Sequence, residues 1–231
     1  MRNLLTNLKT MRINYWQSFE ENCFYHIYNR SNNKETIFRS DDNYKFFLKR
    51  WVEYLSPYFD TYSYALIPNH FHFTVKVHPV DDLFREAVTQ EKTVAGLKFL
   101  EGTLALDEFL EDQMKRFLTS YAKAFNKQQN REGSVFQKRF KRVAARTGHH
   151  LLYLIAYHHH NPIHHKLVKN YDEWKYSSYL AFLSGASTKI CRQEVLDLFF
   201  PGDRNKAVRD FVEYHRAFQL DKKMEFLMME D

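Results

Sequence analysis

Histidine alternates with phenylalanine in Pro68-Asn69-His70-Phe71-His72-Phe73. On a β-strand successive side chains point to opposite faces, so His70, His72, Thr74 and Lys76 share one side. Phe71, Phe73, Val75 and Val77 then share the other, which reads as the core side. Two imidazoles spaced in this way can grip one divalent metal. The same spacing also serves ordinary half-exposed histidines, and the motif alone leaves both readings open.

A second constellation is Tyr153, Tyr157 and Asn161, at successive i+4 steps and so along one stripe of a helix. Leu151, Leu154 and Ile155 supply the opposing apolar side. A tyrosine stripe can simply be packing. Here Asn161 offers a ligand oxygen one turn from the Tyr157 phenol, an arrangement that can bring a metal and a nucleophile to one phosphate. A third segment, Gly133-Ser134-Val135-Phe136-Gln137-Lys138-Arg139-Phe140-Lys141-Arg142, interleaves bases with phenylalanines. That composition suits a groove that tracks a phosphate backbone and stacks bases. It also suits an edge strand protected by its charges.

The elements that would carry these residues can be read in order. Cys23–Arg30 reads as a strand running into a turn at Ser31-Asn32-Asn33. Tyr44, Phe47, Leu48, Trp51, Val52 and Leu55 make an amphipathic helix, capped by Ser40 or Asp41 and stopped before Pro57. Thr61–Ile67 and His70–Val77 read as strands bent at Pro68-Asn69. Leu110, Met114, Phe117, Leu118, Tyr121 and Phe125 make a second helix ended by Gly133. Val135–Ala145 reads as extended, and Thr147 caps a third helix that ends by Pro162. Apolar spacing near 195–199 and 211–218 predicts two short terminal helices. This order predicts an α+β fold: a ferredoxin-like or RRM-like antiparallel sheet with helices on one face, plus a third helix carrying Tyr157 and a small helical C-terminal extension. The expected organisation is an N-terminal extension at 1–22, a core domain at 23–182 with an insertion near 79–112, and a helical extension at 183–231.

The 231 residues carry a net charge of +6, with 44% hydrophobic and 17% aromatic residues, ample for a core. The charge is unevenly placed. Asp81–Asp112 holds nine acids and three bases, whereas Met114–Arg146 holds ten bases and one acid, Glu132. A one-signed block favours a polyanionic partner. No run approaches the roughly 18 apolar residues of a membrane span, and no secretory leader is evident. Cys23 and Cys191 match no zinc or redox spacing, so a reduced, cytoplasmic protein is expected.

Taken in order, five segments resemble the insertion-sequence tyrosine transposases of the HUH nuclease class, and in particular their REP-associated branch. They are Tyr25-His26-Ile27-Tyr28-Asn29-Arg30, Pro68–Phe73, Gly133–Lys141, Tyr157-His158-His159-His160-Asn161-Pro162 and Asp172-Glu173-Trp174-Lys175-Tyr176-Ser177-Ser178-Tyr179. The resemblance covers about 23–182 apart from the insertion. It implies an RRM-like sheet, a metal site of His70, His72 and Asn161 for Mg²⁺ or Mn²⁺, and Tyr157 as the nucleophile that forms a 5′-phosphotyrosine. Single-stranded or hairpin DNA is the implied partner. Insertion-sequence relatives work as homodimers that exchange the tyrosine helix whereas REP-associated ones act alone, so the resemblance leaves both monomer and homodimer open. Arg30, Lys138, Arg139, Lys141, Arg142 and Arg146 are the residues expected along the DNA path. The acidic insertion is expected to lie off it. The cluster His158, His159, His160, His164 and His165 departs from the family pattern and is expected to face solvent or DNA. Two competing readings are a hairpin-binding protein that does not cut and a hydrolase acting through water.

Overall fold

Residues 14–185 and 188–220 are described by the computed structural model. Strands β1 (Phe24–Arg30), β2 (Phe59–Ile67), β3 (His70–Val77) and β4 (Lys141–Ala145) form one antiparallel sheet in the order β2-β3-β1-β4. Helix α1 (Asp41–Leu55) joins β1 to β2, and α4 (Leu106–Gln129) leads back to β4. This is the ferredoxin-like arrangement that the element order predicts.

One face of the sheet is the aromatic core. Trp51 of α1 stacks on Phe73 of β3 with ring centroids 3.5 Å apart, and its indole N–H donates to Thr61 Oγ1 at 3.0 Å. Phe47 of α1 meets Phe71 and Phe117, so both helices seat on the phenylalanine side of β3. The side that carries His70, His72 and Thr74 is equally buried. Helix α5 (Gly148–His164) lies across it, against β2, β3 and β4. The two histidines are therefore interior groups between sheet and helix.

Thr147 accepts from the His150 N–H and starts α5 as expected. The helix does not stop at Pro162. It runs on to His164 with the proline in its last turn, where the missing N–H costs a single bond. Likewise α4 ends at Gln129 and is capped by Asn130 in the left-handed conformation, three residues before Gly133.

The 79–112 segment is ordered as α2 (Asp82–Glu91), α3 (Val94–Leu100) and the first turns of α4. It stays outside the sheet but is part of the core, since Phe84, Val88, Phe99 and Phe109 are all buried. Beyond α5, a short α6 (Tyr179–Ser184), a 3-10 turn at Gln193–Leu198 and α7 (Arg204–Ala217) complete the described chain. Among the described residues no helix is long and apolar enough to cross a membrane.

Candidate active site

Three elements bring the site together. In the β1–β3 ladder, Tyr28 faces His72 and His26 faces Thr74, and directly opposed residues point to the same side of a sheet. His26 and Tyr28 thus share the histidine side with His70 and His72. On β2 the register shifts between Thr61 and Ser63. This bulge turns Thr61 toward Trp51 and Ser63 toward α5. From the helix, Leu154, Tyr157, His158 and Asn161 are buried at i, i+3, i+4 and i+7, the stripe that meets the sheet.

The sequence-predicted metal ligands come together. His70 and His72 have ring centroids 5.0 Å apart, nearly perpendicular. The Asn161 amide nitrogen lies 3.4 Å from His72 Nε2. Tyr157 stands edge-on to His72 with centroids 5.7 Å apart, and it belongs to the same chain. Tyr153 sits one turn away, its ring 6.4 Å from that of Tyr157 and 5.1 Å from Phe218.

The donor chemistry suits a divalent ion. His70 Nδ1 lies 2.6 Å from the Asn69 carboxamide oxygen, which can only accept, so His70 carries its proton there and keeps a lone pair on Nε2. A donating Asn161 amide requires a lone pair on His72 Nε2 as well. Two neutral imidazoles and an amide are the mixed nitrogen and oxygen set that Mn²⁺ and its neighbours accept. Rotation of the Asn161 amide would present its oxygen in place of its nitrogen.

Sequence reasoning missed His26 and His158 as members of this cluster. His26 Nε2 lies 2.9 Å from His72 Nδ1. His158 Nδ1 lies 2.9 Å from Ser63 Oγ and 3.5 Å from Thr74 Oγ1. His26, His72 and His158 each offer one nitrogen within 4.8 Å of the others, the one such group of three His, Cys, Asp or Glu among the described residues. The His26-Ile27-Tyr28 alternation on a strand beside the His-x-His strand was the available signal.

The histidine cluster as a whole corrects the expectation of solvent or DNA exposure. His158 and His159 are buried, and only His164 and His165 are exposed. His159 is held in a chain that fixes every proton: His215 Nδ1 donates to the Phe211 carbonyl at 2.7 Å, His159 Nδ1 donates to His215 Nε2 at 2.7 Å, and Ser178 Oγ donates to His159 Nε2 at 2.7 Å. Burial pushes the pKa of His159 well below its ordinary value and that of His215 down to about 4.

The expected DNA-path residues divide. Lys138, Arg139 and Arg146 are exposed, Lys141 is half-buried over the Tyr15 ring, and Arg30 opposes His70 in the ladder. Arg142 must be corrected. It is 1% exposed, and its guanidinium binds Asp107 at 2.7 Å and Glu111 at 2.9 Å, so its charge is spent inside the fold. Burial raises the Glu111 pKa, but hydrogen bonds from Arg139 and Arg142 outweigh it and hold the carboxyl below its usual range. The acidic insertion therefore reaches the basic segment, against expectation, because its last carboxylates neutralise that buried arginine. Phe136 and Phe140 are also core residues, unavailable to stack on bases. Lys115, Arg116, Lys123 and Lys127 sit on α4, across the sheet from the histidines, so the basic block is split between two faces.

No protein-family model matches the chain. A curated protein of Haemophilus influenzae (strain KW20 / Rd), named among the REP-associated tyrosine transposases, is 25% identical over 123 residues. The match spans 52% of this chain and 59% of that protein, less than two-thirds of the relative's length. A solved structure of a REP-associated tyrosine transposase bound to a REP hairpin aligns with a TM-score of 0.49 at 14% identity, over 80% of this chain and 93% of that one. By its motif order and by this curated relative, the chain resembles the REP-associated tyrosine transposases.

Proposed function

We propose that this chain cleaves and rejoins single-stranded DNA at hairpin-bearing substrates, with Tyr157 as the nucleophile and His70, His72 and Asn161 holding a divalent cation. The observation that carries this reading is the meeting of Tyr157 and Asn161 from α5 with His70 and His72 from β3 in one buried site of one chain.

A free phenol has a pKa near 10 and attacks poorly at neutral pH. Mg²⁺ or Mn²⁺, when bound, polarises a non-bridging phosphate oxygen and offsets the charge that grows there. Tyr157 Oη bonds to phosphorus as the P–O3′ bond breaks. The phenolic proton leaves to solvent, and the departing 3′ oxygen takes one up, which leaves a 5′-phosphotyrosine and a free 3′-OH. Rejoining is the reverse attack by a 3′-OH, which expels the tyrosine and needs no outside energy source. The i+4 spacing of Tyr157 and Asn161 places nucleophile and ligand on one rigid turn, which supplies orientation. Arg30, Lys138, Arg139, Lys141 and Arg146 supply phosphate contacts on this reading.

The test is incubation of the chain with labelled single-stranded hairpins and Mn²⁺, followed by denaturing electrophoresis. A protein-linked label together with a free 3′-OH product supports the reading. Binding without an adduct would make the chain a hairpin-binding protein, and cleavage without an adduct would make it a hydrolase acting through water.

A further inference from the structure

We infer that His26 is a positioning residue for the metal ligand His72: its Nε2 accepts the His72 Nδ1 proton and so keeps the His72 Nε2 lone pair aimed at the ion. This rests on the proposed metal site and adds a residue to it.

An imidazole can ligate through Nε2 only if Nε2 carries the lone pair, and a neutral ring then carries its proton on Nδ1. That proton needs an acceptor in a buried site, or the ring pays the cost of an unsatisfied donor. For His70 the acceptor is the Asn69 carboxamide oxygen, 2.6 Å from Nδ1. For His72 the group at Nδ1 is His26 Nε2, at 2.9 Å. The two rings of that pair are nearly coplanar, with planes 18° apart and centroids separated by 5.1 Å, as an in-plane N–H···N bond requires. His26 is 1% exposed and stacks on Tyr28 at 4.6 Å, so its ring is held in place. The Asn161 amide on the far nitrogen of His72 calls for the same tautomer. Orienting partners behind metal-bound imidazoles typically change metal affinity about 10- to 100-fold when removed.

The experiment measures Mn²⁺ affinity of the full chain by titration calorimetry, with DNA absent, for the wild type, His72→Ala, His26→Phe and His26→Gln. Glutamine places an acceptor oxygen close to where Nε2 stood, whereas phenylalanine keeps the ring and loses the acceptor. We expect His26→Phe to weaken Mn²⁺ binding about 10- to 100-fold and His26→Gln to restore most of it. Long-range ¹⁵N–¹H spectra of the unmutated protein should show His72 protonated on Nδ1, a readout that does not depend on any variant folding. A His72 proton on Nε2, or wild-type affinity in His26→Phe, overturns the inference. Equal loss in both His26 variants, with melting temperatures unchanged, would place the ion on His26 itself and also overturn it. Failure of the wild type to bind Mn²⁺ would instead sink the underlying metal site.

Discussion

The ring of Tyr157 lies at 88° to that of His72, the centroids 5.7 Å apart, and both belong to one chain. On the proposed reading, the helix that carries Tyr157 serves the histidines of its own chain. Mixing Tyr157→Phe protein with His72→Ala protein should restore no adduct formation, since neither chain can supply the other's missing group. Recovery of activity in the mixture would mean that α5 is exchanged between chains.

Arg142 and the exposed bases around it should separate cleanly. Replacing Arg142 with Ala leaves Asp107 and Glu111 without their buried partner. Loss of one member of such a pair costs about 3 kcal/mol or more, read as a lower denaturation midpoint. Replacing Lys138, Arg139 and Arg146 with Ala should leave stability nearly unchanged. It should instead flatten the salt dependence of single-strand binding by a slope of about 0.7 per lost phosphate contact. An unchanged slope would put the DNA on another face.

The insertion contributes to the core. Phe84 is 2% exposed and packs on Tyr58, Phe99 and Phe109. Phe84→Ala should cost about 3 kcal/mol, on the scale of buried phenylalanine truncations. Adduct formation well below the melting temperature should persist. A stable variant that forms no adduct would show that this segment belongs to the catalytic face.

Much of this was legible in the chain because periodicity and burial agreed. The alternation at His70–Val77 gave a strand, and its phenylalanine side packs into the core as read. What failed had one cause: local pattern does not tell whether a second layer covers a face. The histidine side of β3 lies under α5, so polar residues there are interior. The same burial reverses the reading of His158 and His159, which a polar run suggests are solvated. Arg142 reads as one more surface base because its partners, Asp107 and Glu111, are more than thirty positions away in sequence. His26 went unmarked as a site residue since its meaning depends on β1 pairing with β3.

The buried pair His159 and His215 should make the fold acid-sensitive. Burial holds the His215 pKa at about 4 in the folded chain, against 6.5 for an unhindered imidazole. Because the folded-state pKa is lowered, the folded state binds fewer protons, and its stability is full above pH ~6.5 and falls as pH drops toward ~4. At about 1.4 kcal/mol per unit, His215 accounts for about 3 kcal/mol over that range. Denaturation midpoints between pH 7 and pH 4.5 should fall for the wild type and fall less for His215→Phe. Identical pH profiles would show that the ring is protonated without cost.

The central claim is that the Tyr157 oxygen becomes covalently bound to DNA. Tyr157→Phe removes one oxygen and keeps the ring, so stability should change by about 1 kcal/mol or less, and uncut hairpin should still bind. With Mn²⁺ and a labelled single-stranded hairpin, wild type and Tyr153→Phe should each yield a denaturant-resistant adduct, and Tyr157→Phe should yield none. An adduct in Tyr157→Phe that disappears in Tyr153→Phe would move the nucleophile one turn along α5, and adducts in both would contradict the tyrosine mechanism.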